Sequence, residues 1–434
     1  MTPLTVGAIG IGILFALLFS GMPIGFVMAL VGFIGFAYLV DFNSALGILR
    51  IVPYTTFADY GLSVIPLFIL MGEFAFFAGL SKDLYDAVHS WLGQLRGGLA
   101  MATTWACAGF AAVSGSSLAT AATMGSVALP EMRRYHYDDA LATGAIAAGG
   151  TMGILIPPSV ILVLYGIITE QSIGKLFLAG FIPGVLEAAF YTVTIYILCK
   201  RNPRLGPPGP RTTMKQKIVS LKNTWIVLLL FILVIGGLYK GVFSPTEAAG
   251  VGAFGAFVFG LARRRLGLKA IKSSLNETGK TTAMIFIIVM GAMILGYFLA
   301  VSRVPFELAS IIGGLEVNRY IILAVILVFY IFLGCVMDSM AMMLITVPIF
   351  FPLIVSLGFN PIWFGIIMVR ICEIGLITPP VGLNVFIISG IAKDVPLEKI
   401  FRGVMPYLFA MVVAAVILLF VPQIATWLPN LAGP

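Results

Sequence analysis

Two short stretches decide the reading: Gly153-Ile154-Leu155-Ile156-Pro157-Pro158 and Gly375-Leu376-Ile377-Thr378-Pro379-Pro380. Each interrupts a long apolar run. A Pro-Pro pair removes backbone donors and breaks the helix that contains it. The two stretches stand 222 residues apart, and the same offset carries Pro130 onto Pro352, Ser116-Ser117 onto Asp338-Ser339 and Pro23 onto Pro245. Offsets of 219 and 220 carry Met71-Gly72 onto Met290-Gly291, and Gly93 with Leu95 onto Gly313 with Leu315. Punctuating residues that recur in the same order mark an internal repeat.

Composition supplies the class. Of 434 residues, 60% are apolar and only 10% charged, against about 25% charged in a soluble domain. Too little polar surface remains to cover a water-soluble globule. Runs of roughly 20 apolar residues recur, each able to cross a ~30 Å hydrocarbon core. Backbone groups in lipid must pair within their own segment, so the spans are helices. The expected fold is an all-α polytopic membrane protein. The first residues lack a basic stretch and a small-residue cleavage site and read as a first span, not a leader. Cys107, Cys199, Cys335 and Cys372 show no C-x-x-C spacing, and the two histidines, His89 and His136, cannot build a metal or haem set.

The repeats cover 1–199 and 223–434, joined by a basic, Pro/Gly-rich linker at 200–222. Within each half, two spans flank a tight turn: 4–20 with 24–40, and 224–240 with 246–262. A third span follows at 62–80 and 281–301, then a short amphipathic stretch at 81–96 and 302–315. Next come two apolar pieces of about a dozen residues per arm, joined by a polar tip. They read as re-entrant hairpins at 97–132 and 318–356. Broken helices at 138–169 and 361–392 and a last span complete each half. Five true crossings per half is an odd number, so the second half enters the membrane inverted. Charge supports this topology. With the linker in the cytoplasm, 20 of the 26 Lys+Arg fall on the cytoplasmic side, as the positive-inside rule requires. Both termini then face the periplasm, and the basic excess is topological rather than a sign of nucleic-acid binding.

Inverted repeats with broken helices are the signature of secondary transporters. Irregular backbone at membrane depth is tolerated only where protein or water covers it, and freed carbonyls and helix ends can then hold ions. The first tip, Ser114-Gly115-Ser116-Ser117, offers three hydroxyls; the second, Met337-Asp338-Ser339, offers a carboxylate and a hydroxyl. Small residues also let helices pack closely, a reading that stays open for Ser117. A carboxylate at membrane depth needs a role. The repeat carries Arg370 and Glu373 onto Ala148 and Thr151, so symmetry breaks there. Two roles fit Arg370: a forked donor to a solute carboxylate, or an i, i+3 partner of Glu373. Asn384, opposite Leu162, and Ser159, after the first Pro-Pro, are further candidate solute contacts. Glu73, Glu187 and Glu247 lie in or beside spans and read as structural or interfacial.

The segments Val113-Ser114-Gly115-Ser116-Ser117 and Met152-Gly153-Ile154-Leu155-Ile156-Pro157-Pro158-Ser159 resemble the large, DctM-type membrane subunit of tripartite ATP-independent periplasmic (TRAP) transporters. So do Gly21-Met22-Pro23, Ser244-Pro245-Thr246-Glu247-Ala248 and the stretch from Gly375 to Asn384. The resemblance runs the whole length. It implies a divalent-anion/sodium-symporter-like fold, with a scaffold and a mobile elevator domain braced by the two amphipathic stretches. It implies sodium-driven uptake of a carboxylate-bearing solute across the bacterial inner membrane, not an enzymatic reaction. It also implies two partners: a DctP-type periplasmic solute-binding protein and a DctQ-type small four-helix membrane subunit, expected as a separate chain because this one opens at the first span. By position, a first sodium ion would use Ser114, Ser116 and Gly153, with Ser117 in the same tip. A second would use Asp338, Ser339, Gly375 and Thr378. The solute would sit between the tips, at Ser159, Asn384 and Arg370. The rival readings are a stand-alone dicarboxylate/sodium symporter, a membrane redox or pump subunit, and a channel subunit.

Overall fold

The computed structural model describes residues 1–313 and 317–431, and no strand occurs among them. Leu315, at the end of the expected second amphipathic stretch, lies outside the described residues, as do 432–434.

The first half runs α1 (Pro3–Phe19), α2 (Ile24–Leu39), α3 (Phe42–Ala58), α4 (Val64–Phe77), α5 (Leu80–Leu92), α6 (Gly98–Ser114), α7 (Ser117–Arg134), α8 (Asp139–Thr151), α9 (Val160–Thr169) and α10 (Ile173–Arg201). The second half runs α11 (Met214–Tyr239), α12 (Pro245–Ala262), α13 (Leu268–Ser302), α14 (Val304–Gly313), α15 (Arg319–Gly334), α16 (Ser339–Ser356), α17 (Pro361–Ile377), α18 (Leu383–Ile391) and α19 (Leu397–Phe420), with a short α20 (Gln423–Leu431) that has no counterpart in the first half. Among the described residues five helices are long and apolar enough to cross a membrane: α10, α12, α13, α16 and α19. The count rises to seven if each of two bent pairs is one span.

Three expectations need correction. Helix α3 was not anticipated, because Asn43, Arg50 and Pro53 interrupt its apolar run. It starts where the Asp41 carboxylate accepts the Ser44 amide at 2.9 Å, an N-cap. Helices α3 and α4 meet at 55°, whereas their counterpart α13 is one continuous helix of 35 residues. The hairpin arms hold 16 to 18 residues, longer than the dozen expected. Finally, the linker narrows to 202–213. Helix α10 continues through Arg201, and Thr213 with Gln216 forms a capping box that starts α11 by satisfying its first amides reciprocally.

That linker is strapped down. The Gly97 amide donates to Gly206 O at 2.9 Å, the Gly209 amide to Gly93 O at 2.8 Å, and the Asp138 amide to Leu205 O at 3.0 Å. Gly206 has no room for a side chain: a Cβ would lie 2.9 Å from Gly97 Cα and 2.8 Å from Cys199 Sγ.

Two packed groups result. Helices α1–α4 and α11–α13 form a frame, and α6–α10 with α15–α20 form a hairpin group. Helix α5 packs on α6 of the hairpin group and on α11 of the frame; α14 packs on α16, α1 and α13. Small residues allow the closest crossings. Gly25 on α2 and Gly291 on α13 abut backbone to backbone, as do Ala140 on α8 and Gly403 on α19. In lipid, where apolar surfaces gain little by leaving the solvent, such close van der Waals packing holds helices together.

Candidate transport site

Each hairpin tip is seated in the break of its own half. At the first, α6 ends at Ser114, Gly115 turns the chain with φ 62°, and Ser116 caps α7 by accepting the Ala119 amide at 3.3 Å. A Cβ on Gly115 would lie 2.9 Å from Pro158 O, and one on Gly153 would collide with Ser116 O. Thr120 Oγ1 sits 2.8 Å from Ser114 Oγ and donates to Ser116 O at 2.7 Å. Hydroxyls and carbonyls from tip and break therefore converge around Gly153.

At the second tip, Asp338 caps α16, its Oδ2 accepting the Met340 amide at 3.0 Å. Ser339 follows, and its buried hydroxyl has no hydrogen-bond partner among the described residues. The break packs against the other side of the tip. A Cβ on Gly375 would lie 2.5 Å from Gly334 Cα, and the Gly382 amide reaches Cys335 O at 3.4 Å. Thr378 Oγ1 donates to Ile374 O at 2.6 Å. The equivalents of Gly115 and Gly153 are thus played by Gly334 and Gly375, where backbones must approach without a side chain between them.

The two breaks are tied together. Asn384 on α18 is fully buried, and its Nδ2 donates to Ala147 O on α8 at 3.1 Å while Oδ1 is left without a partner among the described residues. Tyr165 on α9 donates to Pro361 O at the start of α17 at 2.7 Å. Ser159 is also fully buried; it caps α9 from Leu162 N at 3.4 Å and donates to Ile154 O at 2.5 Å. Behind the breaks lies an ion-pair cluster. Arg370, 2% exposed, pairs with Glu187 on α10 and, at 3.2 Å, with Glu373. Tyr191 donates to Glu187 Oε1 at 2.5 Å and Thr151 Oγ1 lies 3.3 Å from the same oxygen. Thr151 is the repeat mate of Glu373, so the broken symmetry predicted at this pair is filled by a carboxylate from α10.

Of three cavities between frame and hairpin group, two reach the tips. One, of about 740 Å³, runs from the Gly21-Met22-Pro23 turn and Lys280 to Met337, Asp338 and Leu383. The other, of about 310 Å³, is bounded by Glu73, Glu277 and Thr281 on the frame and by Ser114, Ser116 and Met340 at the tips. Of the candidate ion and solute residues singled out in the sequence, Ser114, Ser116 and Asp338 face these cavities. Ser117, Gly153, Ser339, Gly375 and Thr378 surround the tips without lining them. Ser159, Arg370 and Asn384 are buried in the hairpin group and line neither cavity, so their present contacts are with protein. Sequence reasoning missed Thr120, Glu187 as the partner of Arg370, and Lys280. Glu187 carried a usable signal: a carboxylate inside a span requires a partner, and Arg370 is the one in-span cation of the topology above.

The family described as "Tripartite ATP-independent periplasmic transporter, DctM component" matches residues 11–424. The chain belongs to this DctM family. Its members are transport permeases rather than enzymes. The chain is 40% identical over 386 residues to the C4-dicarboxylate TRAP transporter large permease protein DctM of Pseudomonas aeruginosa, covering 89% of this chain and 90% of that one. It is 34% identical to the isethionate TRAP transporter permease protein DctMQ of Oleidesulfovibrio alaskensis, over 86% of this chain and 59% of that one. Among solved structures, the Alcanivorax borkumensis YdaH transporter superposes with a TM-score of 0.61 over 90% of each chain at 15% identity, a likeness of fold alone. As a DctM component, this chain is the large permease subunit of a TRAP transporter and a multi-pass membrane protein.

Proposed function

We propose that this subunit carries an organic anion, most simply a carboxylate, inward across the bacterial inner membrane in symport with sodium. A periplasmic binding protein delivers the solute, and a small four-helix subunit completes the membrane complex. The hairpin group moves against the frame in an elevator stroke, with α5 and α14 as braces. Both termini face the periplasm and residues 202–213 the cytoplasm.

One observation carries the proposal: each of two hairpin tips inserts into a broken helix, and each junction gathers hydroxyl, carboxylate or carbonyl oxygens. Sodium, like the other hard cations, favours such oxygen ligands. The first ion would be held by Ser114, Ser116 and Gly153, with Thr120 beside them. The second would be held by Asp338, Ser339, Gly375 and Thr378. The unpartnered Ser339 hydroxyl supports the second assignment, because a buried hydroxyl without a partner is costly. Sodium binding would fix the tips, shape the anion site between them and couple carriage to the sodium gradient and membrane potential.

The test is uptake into proteoliposomes holding this chain and its small subunit, with an inward sodium gradient and with or without the binding protein. Uptake should require both. Sodium-driven uptake without the binding protein would replace this reading with a stand-alone symporter, and uptake indifferent to sodium would overturn the ion sites.

A further inference from the structure

The three charged side chains that the frame presents to the two tip cavities are sorted by sign. Helix α13 presents Glu277 to the smaller cavity, where Glu73 also lies. One turn on, it presents Lys280 to the larger one. The two side chains hold each other at 2.8 Å. Lys280 is the basic side chain lining the larger cavity, and neither Lys nor Arg lines the smaller. Arg370, the other cation near the tips, is already occupied by Glu187 and Glu373. The larger cavity thus has Lys280 at one end and the Asp338 carboxylate at the other, while the smaller has two carboxylates and no cation, so an anion leaving the second tip meets Lys280.

We infer that Lys280 is an exit subsite for the solute's anionic group, met on the cytoplasmic side after the stroke and shielded by Glu277 when no solute is there. This rests on the reading above of an anion carried inward. Position supports it. Lys280 lies twelve residues into α13, about 18 Å from its start, and roughly 33 Å of helix then remain to Ser302. That remainder matches a ~30 Å hydrocarbon core, which places the ammonium at the cytoplasmic boundary, at the mouth of the cavity. A lysine there also satisfies the positive-inside rule, but a purely topological lysine has no reason to line the cavity that ends at Asp338. The Glu277 carboxylate, being an i, i+3 neighbour, can be exchanged for a solute carboxylate or sulfonate at little net cost, because exposed pairs are weak. A weak exit site is what release requires.

The experiment is counterflow in proteoliposomes of the whole complex with binding protein outside, using succinate, isethionate and sialic acid and following whichever the wild type carries. Internal unlabelled solute is varied, and its half-saturating concentration is read from stimulation of labelled entry. Lys280→Gln should raise that internal value about fivefold and leave the external sodium half-saturation where it was. Lys280→Arg should restore the wild-type value, and Glu277→Gln should lower it. If Lys280→Gln does not assemble, the Arg and Glu277→Gln variants carry the test. An internal half-saturation unmoved by Glu277→Gln and by Lys280→Gln overturns the subsite while leaving the sodium reading intact. Wild-type entry that is indifferent to sodium overturns the underlying reading instead, and is recognised because it is not specific to a variant.

Discussion

The guanidinium of Arg370 on α17 is held by Glu187 on α10, with Glu373 completing the grip at 3.2 Å from one turn further along α17. All three are buried in the hairpin group. The contact joins the second broken helix to the closing helix of the first half, so it locks the two repeats to each other just behind both breaks. Removing the cation leaves two carboxylates without their partner. Arg370→Met should destabilise the protein by about 3–5 kcal/mol, read as a fall in the thermal unfolding midpoint in detergent. Adding Glu187→Gln and Glu373→Gln to it should recover part of the loss, because the desolvated charges are then gone. A midpoint unchanged by Arg370→Met would contradict the assignment.

Asp338 both caps α16 and faces the larger cavity, and the two roles can be separated. Asparagine caps a helix about as well as aspartate but brings no charge to a cation. Asp338→Asn should therefore keep the wild-type melting temperature to within about 0.5 kcal/mol of stability and raise the sodium concentration for half-maximal uptake by more than about tenfold. Wild-type sodium dependence in this variant would remove Asp338 from the second ion site.

The break glycines make a steric prediction. A methyl at Gly153 collides with Ser116 O and comes within 2.8 Å of Thr120 Oγ1. One at Gly375 lies 2.5 Å from Gly334 Cα. Overpacking of this kind costs about 1–3 kcal/mol, and it falls on the tip geometry. Both Gly→Ala variants should lose uptake. Gly12→Ala, where nothing lies within 4 Å, should keep it and gain slightly from helix propensity.

How much of this was legible depends on what punctuates the chain. Proline, glycine and serine mark breaks and tips directly, so the order of hairpins and broken helices could be read from Pro157-Pro158, Pro379-Pro380 and the two polar tips. Helix α3 was hidden because polar residues and a proline dilute its apolar run, although Asp41 supplies an ordinary cap. The partner of Arg370 was hidden for a different reason. Glu187 lies 183 residues away in sequence, on a different helix, and only folding brings the two together. The role of 202–213 as a strap was likewise invisible: a Pro/Gly-rich composition reads as a flexible tether, and the backbone bonds from Gly206 and Gly209 to the 93–97 turn depend on tertiary packing.

On the cytoplasmic side of the proposed topology, Arg133 after the first hairpin donates to both oxygens of Asp394, each at 2.8 Å. This hydrogen bonding holds the Asp394 carboxyl below its ordinary range. A lowered carboxyl contributes stability above its unfolded pKa of about 3.9, and the contribution is lost as pH falls through the folded value. Asp394→Asn should melt slightly below the wild type at pH 7, and the gap should close as the pH is taken below about 4. A gap of the same size at both pH values would show that the pair does not titrate as described.

The most direct test of the central claim is the flux of radioactive sodium measured together with solute in the same proteoliposomes, with binding protein present. Two ion sites at two tips predict that at least two sodium ions enter for each solute, and that Asp338→Asn lowers the ratio or abolishes the flux. Solute entry with no accompanying sodium would contradict the account.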